Sequence, residues 1–148
     1  MNIKTFAISI AITIINVSSP SSSGGLQGDS LKAPTFLLDA IEQVESNGDP
    51  NAIGDNGKAV GSFQIWKTYV DDVNRILREH RYNYNDRYDP LLSRYMVKTY
   101  IGHYVTKKRL KRNPTFEDMA RIHNGGPNGY KKKCTEKYWE KIKKELTK

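Results

Sequence analysis

Two acidic residues, ten positions apart, are the part of this sequence best suited to chemistry. Glu45 comes near the end of a predicted helix, and Asp55 lies in the loop rich in Gly and Asn that follows it. Glu45 is four residues after Ile41, so its side chain should project beside the apolar stripe of that helix. A carboxyl group in such a place loses hydration when it ionises, which favours the protonated form that a general acid needs. Asp55, among polar loop residues, is expected to stay ionised and hydrated.

Two carboxyl groups in unlike surroundings can divide the work of cleaving a glycosidic bond. One donates a proton to the leaving oxygen, and the other acts as nucleophile or stabilises the positive charge that develops on the sugar. The spacing of Glu45 and Asp55 fits this scheme. It also fits a solvated glutamate at a helix end and an aspartate that only forms a turn. The two residues by themselves therefore leave both interpretations open.

Capping signals and apolar spacing divide the chain around these residues into helices. Apolar residues at helical spacing predict five helices: residues 36–46, three that begin near 68, 89 and 115, and residues 135–146. The residues expected to cap the first four are Thr35, Thr68 with Asp71, Asp89 before Pro90, and Thr115 with Asp118. A short hairpin is possible within residues 52–63, and no other segment alternates convincingly as a strand. We therefore expect a mainly α fold, possibly with a short hairpin after the helix that carries Glu45.

The predicted helices differ in the faces that they should bury. The third is expected to bury Leu92, Tyr95, Met96, Thr99, Tyr100, His103 and Tyr104. The fourth should pack through Phe116, Met119, Ala120 and Ile122, and the last through Trp139, Ile142 and Leu146. The fourth helix ends at a long turn signal over residues 124–129, which contains three glycines and a proline.

Length and charge restrict the class of protein. The chain has 148 residues, enough for one domain, and carries a formal net charge of +8. This charge favours anionic partners such as nucleic acid, acidic membranes or bacterial cell walls. Cys134 is the single cysteine, so the sequence contains no intramolecular disulfide, and we expect this residue to be a free thiol or a small buried side chain.

The first 33 residues have the composition of a targeting segment and a leader. A lysine near the start precedes an apolar run over residues 6–17 and then a series of serines, the layout of a secretory signal. We expect a signal peptide over residues 1–23, a flexible leader over 24–33 and the folded domain over 34–148. The protein is then secreted or periplasmic.

Two ordered blocks of sequence resemble a known family. Residues 44–46 with 61–65, and above all residues 120–129, resemble the invertebrate-type lysozymes. Residues 45–46 with 49–52 are also similar to the lytic transglycosylase domain of bacterial and phage cell-wall enzymes. Both families share the lysozyme-like fold, and the resemblance covers roughly residues 36–139. It implies a lysozyme-like helical domain that acts on peptidoglycan or a related amino-sugar polymer.

The resemblance assigns roles to particular positions. Glu45 matches the general acid, and Asp55 matches the second carboxylate, although the loop before it is about one residue shorter than in the family. The matched positions that line the sugar-binding groove are Gln64, Tyr100, His123, Asn124 and Gly125. Aromatic side chains such as Tyr104 and Trp66 are further candidates to stack on sugar rings. No cofactor or metal is implied.

The chain departs from the family pattern in its cysteine content. Invertebrate-type lysozymes are rich in cysteine, and this chain has only Cys134.

The two resembled families differ in their need for a second carboxylate. Transglycosylases usually need none, because a hydroxyl of the substrate attacks and leaves an anhydro sugar. Hydrolysis and transglycosylation therefore both remain open, and the role of Asp55 separates them.

Other classes of function fit the sequence less well. A cationic protein that binds wall or nucleic acid without cleaving it matches the charge, but the apolar leader indicates export and no nucleic-acid motif is present, so we expect no nucleic-acid partner. A cysteine hydrolase built from Cys134 with His103 or His123 is a weaker possibility. The basic runs at 107–112 and 131–133 would attract the protein to an anionic bacterial surface. We expect a monomer.

Overall fold

Helices make up most of residues 32–148, which are the part of the chain described by the computed structural model. In this part there are six α-helices and one antiparallel hairpin: α1 (Thr35–Ser46), β1 (Ile53–Gly54), β2 (Ala59–Val60), α2 (Lys67–Leu77), α3 (Pro90–Tyr104), α4 (Lys107–Leu110), α5 (Phe116–Gly125) and α6 (Glu136–Glu145). Single turns of 3-10 helix occur at Asp55–Gly57, Tyr84–Tyr88, Gly129–Lys131 and Lys133–Thr135. The predicted mainly α fold with a short hairpin is confirmed.

The predicted signal segment and most of the predicted leader lie outside the described residues. Their boundaries therefore stay predictions. Ala33 is already 8% exposed and belongs to the hydrophobic core. Within residues 32–148, no helix is both long enough and apolar enough to cross a membrane.

The core forms where α1, α3, α5 and α6 pack together. Its fully buried side chains include Leu37, Leu38, Ile41, Met96, Val97, Ile101, Met119, Ile122 and Ile142. Helix α1 contacts α6, and α5 contacts both α3 and α6. Burial of an aliphatic side chain of this size stabilises the fold by about 1.5–3 kcal/mol. This core holds in place the end of α1, where Glu45 is located.

Two of the four predicted helix starts are confirmed. The Asp89 carboxylate accepts hydrogen bonds from the amides of Leu91 and Leu92, at 2.8 and 2.9 Å, and Pro90 opens α3. Thr115 and Asp118 form a capping box in which each side chain accepts from the other residue's amide. These signals depend only on neighbours in the sequence, so tertiary packing does not alter them.

The other two predicted caps are wrong, by one residue for Thr35 and by two for Thr68. Helix α1 begins at Thr35 and α2 at Lys67, so the capping positions are Pro34 and Trp66. Neither position provides a side-chain cap. The carbonyl of Pro34 accepts from the amides of Leu37 and Leu38, each at 3.2 Å, which starts the helix one residue earlier than Thr35 would.

The predicted buried faces need correction on two helices. On α3, Tyr95 is 48% exposed and His103 is also exposed, whereas Ser93 and Val97 are fully buried. Ser93 was not predicted to be buried because it is polar, although it lies four residues before Val97 and therefore on the same face of α3. On α5, Phe116 is 39% exposed and meets the ring of the exposed Phe36 edge-on, with centroids 5.3 Å apart.

Helix α6 also differs from its prediction. Tyr138 and Ile142 are its buried residues, and Trp139 and Leu146 only pack partly against the core. Tyr138 and Ile142 are four residues apart and therefore share one face of the helix. This shift turns Tyr138 inward.

Candidate functional site

The hairpin that carries Asp55 is fastened to the end of α1. Ile53 pairs with Val60 and Gly54 with Ala59, so the loop between the strands holds Asp55 at its start. The Ser46 hydroxyl, in the last turn of α1, donates to the Ser62 carbonyl at 2.8 Å. This bond ties the segment after the hairpin to the helix that carries Glu45.

Gln64 closes the hairpin from inside. Its side-chain amide donates to the carbonyls of Ala52 and Gly61, at 3.2 and 3.0 Å. Its carbonyl oxygen faces Gly54, where an added Cβ would lie 2.3 Å away. Gln64 was predicted as a substrate-binding residue. It does line the cleft described below, but its amide is committed to holding the hairpin.

Gly61 allows the chain to leave the hairpin past a buried arginine. Its φ of +79° lies in the left-handed region, and a Cβ there would come within 1.9 Å of the Arg87 carbonyl oxygen. Arg87 is 5% exposed and donates to the carbonyls of Ile65 and Tyr84, at 3.0 and 2.7 Å. The base of the hairpin is thereby fixed against the segment that leads into α3.

A cleft of about 890 Å³ lies between the hairpin and helices α1, α2, α3, α5 and α6. The structure brings six of the seven predicted site residues to it: Glu45, Asp55, Gln64, Tyr100, His123 and Asn124. Gly125 is not among the lining residues, and its neighbours Gly126 and Pro127 take that place. The Gly125 carbonyl accepts instead from the Lys132 ammonium group at 2.6 Å, behind the cleft wall.

Glu45 lies at the bottom of the cleft, beside His123. The Glu45 side chain is 16% exposed, and its Oε1 is 3.5 Å from Nε2 of His123. The other ring nitrogen, Nδ1, is 3.3 Å from the Tyr69 hydroxyl. Both contacts are favourable when His123 carries its proton on Nε2, because Tyr69 then donates to Nδ1 and the Nε2–H group points to the carboxylate. His123 is 8% exposed, so its orientation is set by packing.

Two tyrosines, the partly buried Tyr69 and the buried Tyr138, complete the surroundings of Glu45. Burial raises the pKa of Tyr69 well above its usual range, and the nearby Tyr100, Asp72 and Glu45 raise it further. Burial likewise raises the pKa of Tyr138, and the Glu45 carboxylate adds to this effect. Both phenols therefore stay protonated at neutral pH, and both keep an O–H group to donate.

Asp55 has different surroundings. Its side chain is exposed at the rim, and its φ of +48° is in the left-handed region that Asp tolerates better than most residues. The Trp66 indole N–H donates to its Oδ2 at 3.1 Å, and the Lys58 ammonium lies 5.4 Å from the centre of the Trp66 ring. One carboxyl is thus enclosed and the other hydrated, as the sequence predicted.

The wall formed by α2 and α3 is a stack of tyrosines. The Tyr69 and Tyr100 rings stack with centroids 3.9 Å apart, and Tyr100 meets Tyr104 edge-on at 4.8 Å. The Tyr104 hydroxyl donates to Asp72 at 2.6 Å and accepts from Arg75 at 2.8 Å. Tyr104 is 8% exposed and does not line the cleft, whereas Tyr100 and Trp66 do. Trp66 is 41% exposed and Tyr100 only 4%, so of the three rings predicted to stack on sugars, Trp66 alone offers an open face.

The charges of the cleft are distributed unevenly. Glu45, Asp55, Asp71 and Asp72 are its acidic residues, and Arg75 and Lys141 are its basic ones. Arg75 forms an ion pair with Asp72. Lys141, on the α6 side, makes no ion pair with any residue of the described part of the chain. In a protein of net charge +8, the cleft is acidic on its α2 side and basic on its α6 side.

The long turn after α5 shapes the other rim. A Cβ on Gly129 would lie 1.8 Å from the Arg121 carbonyl oxygen, so the turn folds back directly onto α5. The Thr135 hydroxyl donates to the Gly129 carbonyl at 2.8 Å and accepts from Arg121 at 3.0 Å. These contacts carry Asn124 and Gly126 to the cleft edge, opposite Trp66.

Among the residues of the cleft that sequence reasoning missed are Tyr69, Asp71, Tyr138 and Lys141. The spacing of Tyr138 and Ile142 would have indicated one inward face of α6. The other three lie on helices whose orientation depends on tertiary packing.

Neither a metal site nor a cysteine site appears in this part of the molecule. Among residues 32–148, no group of three or more His, Cys, Asp and Glu is placed to hold a metal ion. Cys134 is exposed, which rules out the buried alternative. It does not line the cleft that contains His123, and His103 is also outside it. A cysteine–histidine pair in this cleft is therefore excluded.

Known proteins match this chain in sequence and in fold. A family model described as Destabilase matches residues 36–145. A lysozyme from Magallana gigas is 33% identical over 82 residues, which are 55% of this chain and 56% of that protein. An invertebrate-type lysozyme from Ruditapes philippinarum is 37% identical over 84 residues, or 57% of this chain and 58% of that protein. The chain thus spans little more than half the length of these curated relatives.

Solved structures extend the similarity over most of the domain. A chain in the crystal structure of Aeromonas hydrophila PliI in complex with Meretrix lusoria lysozyme superposes with a TM-score of 0.63 at 30% identity, covering 76% of this chain and 89% of that one. The Tapes japonica lysozyme superposes with a TM-score of 0.62 at 29% identity, covering 75% and 89%. The helical arrangement around the cleft is therefore shared with these lysozymes.

Proposed function

This chain belongs to the destabilase family of invertebrate-type lysozymes, and from this we propose that it is a glycoside hydrolase that cleaves the β-1,4 links of peptidoglycan, with Glu45 as its general acid. One observation carries the proposal. The carboxyls of Glu45 and Asp55 line the same cleft from two separate elements, one enclosed and the other hydrated. Every group involved comes from a single chain, so the proposal requires no second subunit.

Glu45 is placed to donate a proton to the glycosidic oxygen. As the bond between C1 and that oxygen breaks, positive charge develops on the sugar ring and the Glu45 carboxylate forms. The Nε2–H group of His123 faces this carboxylate at 3.5 Å and stabilises it. Asp55 lines the cleft from the loop of the hairpin. Its ionised carboxylate stabilises the positive charge on the sugar ring or bonds to C1. A water molecule then supplies the hydroxyl group to C1, and Glu45 recovers its proton.

The walls of the cleft suit an amino-sugar polymer. The exposed ring of Trp66 offers a face for the apolar side of a sugar ring, and the buried Tyr100 forms part of the cleft wall. Asn124 and the backbone of Gly126 offer donors and acceptors for acetamide groups at the opposite edge. These contacts serve chitin and peptidoglycan equally, so charge must distinguish the two polymers.

The uneven charge of the cleft favours a substrate with carboxyl groups on one side. Peptidoglycan carries lactyl and peptide carboxylates on alternate sugars, whereas chitin is neutral. Lys141 attracts such a group on the α6 side, while Asp71 repels it on the α2 side. We propose that the polymer binds with its carboxylates towards α6.

Attraction to an anionic bacterial surface and action outside the cytoplasm follow as parts of the same proposal. The basic residues at 107–112 and 131–133 are mostly exposed, and their long-range attraction weakens as salt is added. A wall polymer is reached only by a protein that is exported, which agrees with the predicted signal segment at 1–23. We propose that the protein is secreted or periplasmic.

Digestion of purified peptidoglycan with the mature protein tests the proposed function. Mass spectrometry of the soluble fragments should show reducing ends, which hydrolysis produces. Anhydro ends would instead indicate the lytic transglycosylase reaction. Binding to the polymer without release of fragments would indicate a wall-binding role without catalysis.

A further inference from the structure

The Tyr138 hydroxyl is buried and has no hydrogen-bond partner within residues 32–148. The Tyr138 residue is 9% exposed and belongs to the core, and its ring reaches the cleft from α6. A buried hydroxyl that bonds to nothing costs about 1–3 kcal/mol, so buried polar groups are nearly always paired. A phenylalanine would fill the same space without this cost. The hydroxyl therefore calls for an explanation beyond packing.

The Glu45 carboxyl lies in the neighbourhood of this hydroxyl. Tyr138 and Glu45 line the same cleft, and α6 packs directly against α1. Besides burial, the charge of Glu45 and a hydrogen-bond interaction with its carboxylate both raise the pKa of Tyr138, so the two groups lie close together. The hydroxyl and the carboxylate nevertheless lack the distance and angles of a formed hydrogen bond.

Other titratable groups face Glu45 from the remaining elements. His123 on α5 is 3.5 Å from its Oε1, with Tyr69 on α2 behind the imidazole ring. Asp55 faces the cleft from the hairpin, and Lys141 from α6. His123 and Tyr138 are the two buried donors among these groups, and they approach Glu45 from different helices.

We propose that the Tyr138 hydroxyl is a positioning group that donates a hydrogen bond to the Glu45 carboxylate as Glu45 gives up its proton to the substrate. This inference rests on the proposed function of Glu45. Before proton transfer, the carboxyl is neutral and needs little stabilisation. After it, a carboxylate must be accommodated in a closed site, where hydrogen bonds to an ionised group are short and strong. Hydrogen bonds of this kind are often long in a free enzyme and tighten in the complex.

Replacement of Tyr138 by phenylalanine tests the inference, because the Tyr138→Phe variant keeps the ring and removes only the hydroxyl. We expect kcat on peptidoglycan to fall about tenfold while KM changes less than about twofold. The alkaline limb of the pH–rate profile should move to higher pH, because Glu45 keeps its proton longer without this donor. The thermal unfolding midpoint should stay the same or rise, because an unpaired buried hydroxyl is lost.

Tyr82 provides the matched control. It is also a buried tyrosine, 6% exposed, and it lies outside the cleft. The Tyr82→Phe variant should leave kcat, KM and the pH–rate profile unchanged. An unchanged kcat and profile in Tyr138→Phe would overturn the inference. So would a loss of activity that is accompanied by a lower unfolding midpoint and an unmoved profile, since this would indicate packing alone.

A measurement without substrate separates this inference from the proposed function. The side-chain carboxyl carbon of Glu45, labelled with 13C, can be followed by NMR as the pH is changed. We expect its titration to move to higher pH in Tyr138→Phe and to stay in place in Tyr82→Phe. A shifted titration supports the inference even if the native protein does not cleave peptidoglycan. An unshifted titration overturns the inference even if the native protein does cleave it.

Discussion

The indole N–H of Trp66 donates a hydrogen bond to the Asp55 carboxylate at 3.1 Å, joining the residue before α2 to the loop of the hairpin. The loop is thus held by a contact outside itself, although its strands are only two residues each. This contact fixes the exposed carboxyl at the rim of the cleft, while Glu45 is fixed at the bottom by the core.

Glu45→Gln should abolish turnover while binding to peptidoglycan survives. Glutamine has nearly the same shape but has no proton to give, and general acid catalysis contributes about 10²–10⁴ in rate. Fragment release and pelleting with insoluble peptidoglycan measure the two properties separately. Retained activity would reject Glu45 as the acid.

Asp55→Asn should separate hydrolysis from transglycosylation. If Asp55 stabilises charge on the sugar or bonds to C1, loss of its negative charge should lower kcat by about 10²–10³. In a transglycosylase the attacking group comes from the substrate, so activity should stay near normal and the products should carry anhydro ends. The rate and the mass of the fragments decide between the two.

Trp66→Phe should weaken catalysis modestly by freeing Asp55. The phenyl ring preserves an aromatic face at the cleft but cannot donate to Asp55, and an exposed hydrogen bond of this kind contributes about 1 kcal/mol, or about fivefold in rate. The matched control is Trp139→Phe, since Trp139 is partly buried outside the cleft. Equal losses in kcat from both variants would mean that the bond to Asp55 has no special role.

Lys141→Gln should reduce the preference for a charged polymer. We expect KM for peptidoglycan to rise about fivefold, which corresponds to one weakened ion pair, and KM for neutral chitin oligomers to stay the same. Lys137→Gln is the control, because Lys137 is exposed on the same helix one turn earlier and does not line the cleft. A similar change for both substrates, or for both variants, would contradict the assigned orientation of the polymer.

Stability should fall in acid because of Asp118. Burial raises the pKa of this carboxyl, but the two Arg112 hydrogen bonds at 2.6 Å and those from Thr115 outweigh it, so its pKa lies below the usual 3.8. A carboxyl whose folded pKa is lowered adds stability above its unfolded pKa and loses it as the pH falls through the folded pKa. The urea midpoint should therefore be level above about pH 5 and decline below about pH 4.

The Asp118→Asn variant checks the source of this decline. The substitution should lower the free energy of unfolding by about 1–3 kcal/mol at neutral pH. The urea midpoint of the variant should also decline less steeply as the pH falls. Glu140→Gln is the control, because Glu140 pairs with Lys143 on the exposed surface of α6. If the urea midpoint of Asp118→Asn falls as steeply in acid as that of the native protein, other carboxyls must cause the loss of stability.

The sequence by itself determined the helical architecture and singled out the two candidate carboxyls. Asp89 with Pro90 and Thr115 with Asp118 start their helices through contacts only two or three residues apart, and such contacts are encoded locally. Helical geometry placed Glu45 beside an apolar stripe, and the resemblance to invertebrate-type lysozymes proposed its role as the acid. The hairpin was recognised from turn residues.

Only the tertiary structure decided what surrounds those carboxyls. Trp66 reaches Asp55 across 11 positions, and His123 reaches Glu45 from a helix 78 positions later. Tyr138 comes from a further helix, whose inward face depends on how it packs against α1. A periodic pattern indicates that a helix has a buried side, but it does not specify which other helix will meet that side. The partners of Glu45 are set by long-range packing, and no local signal encodes them.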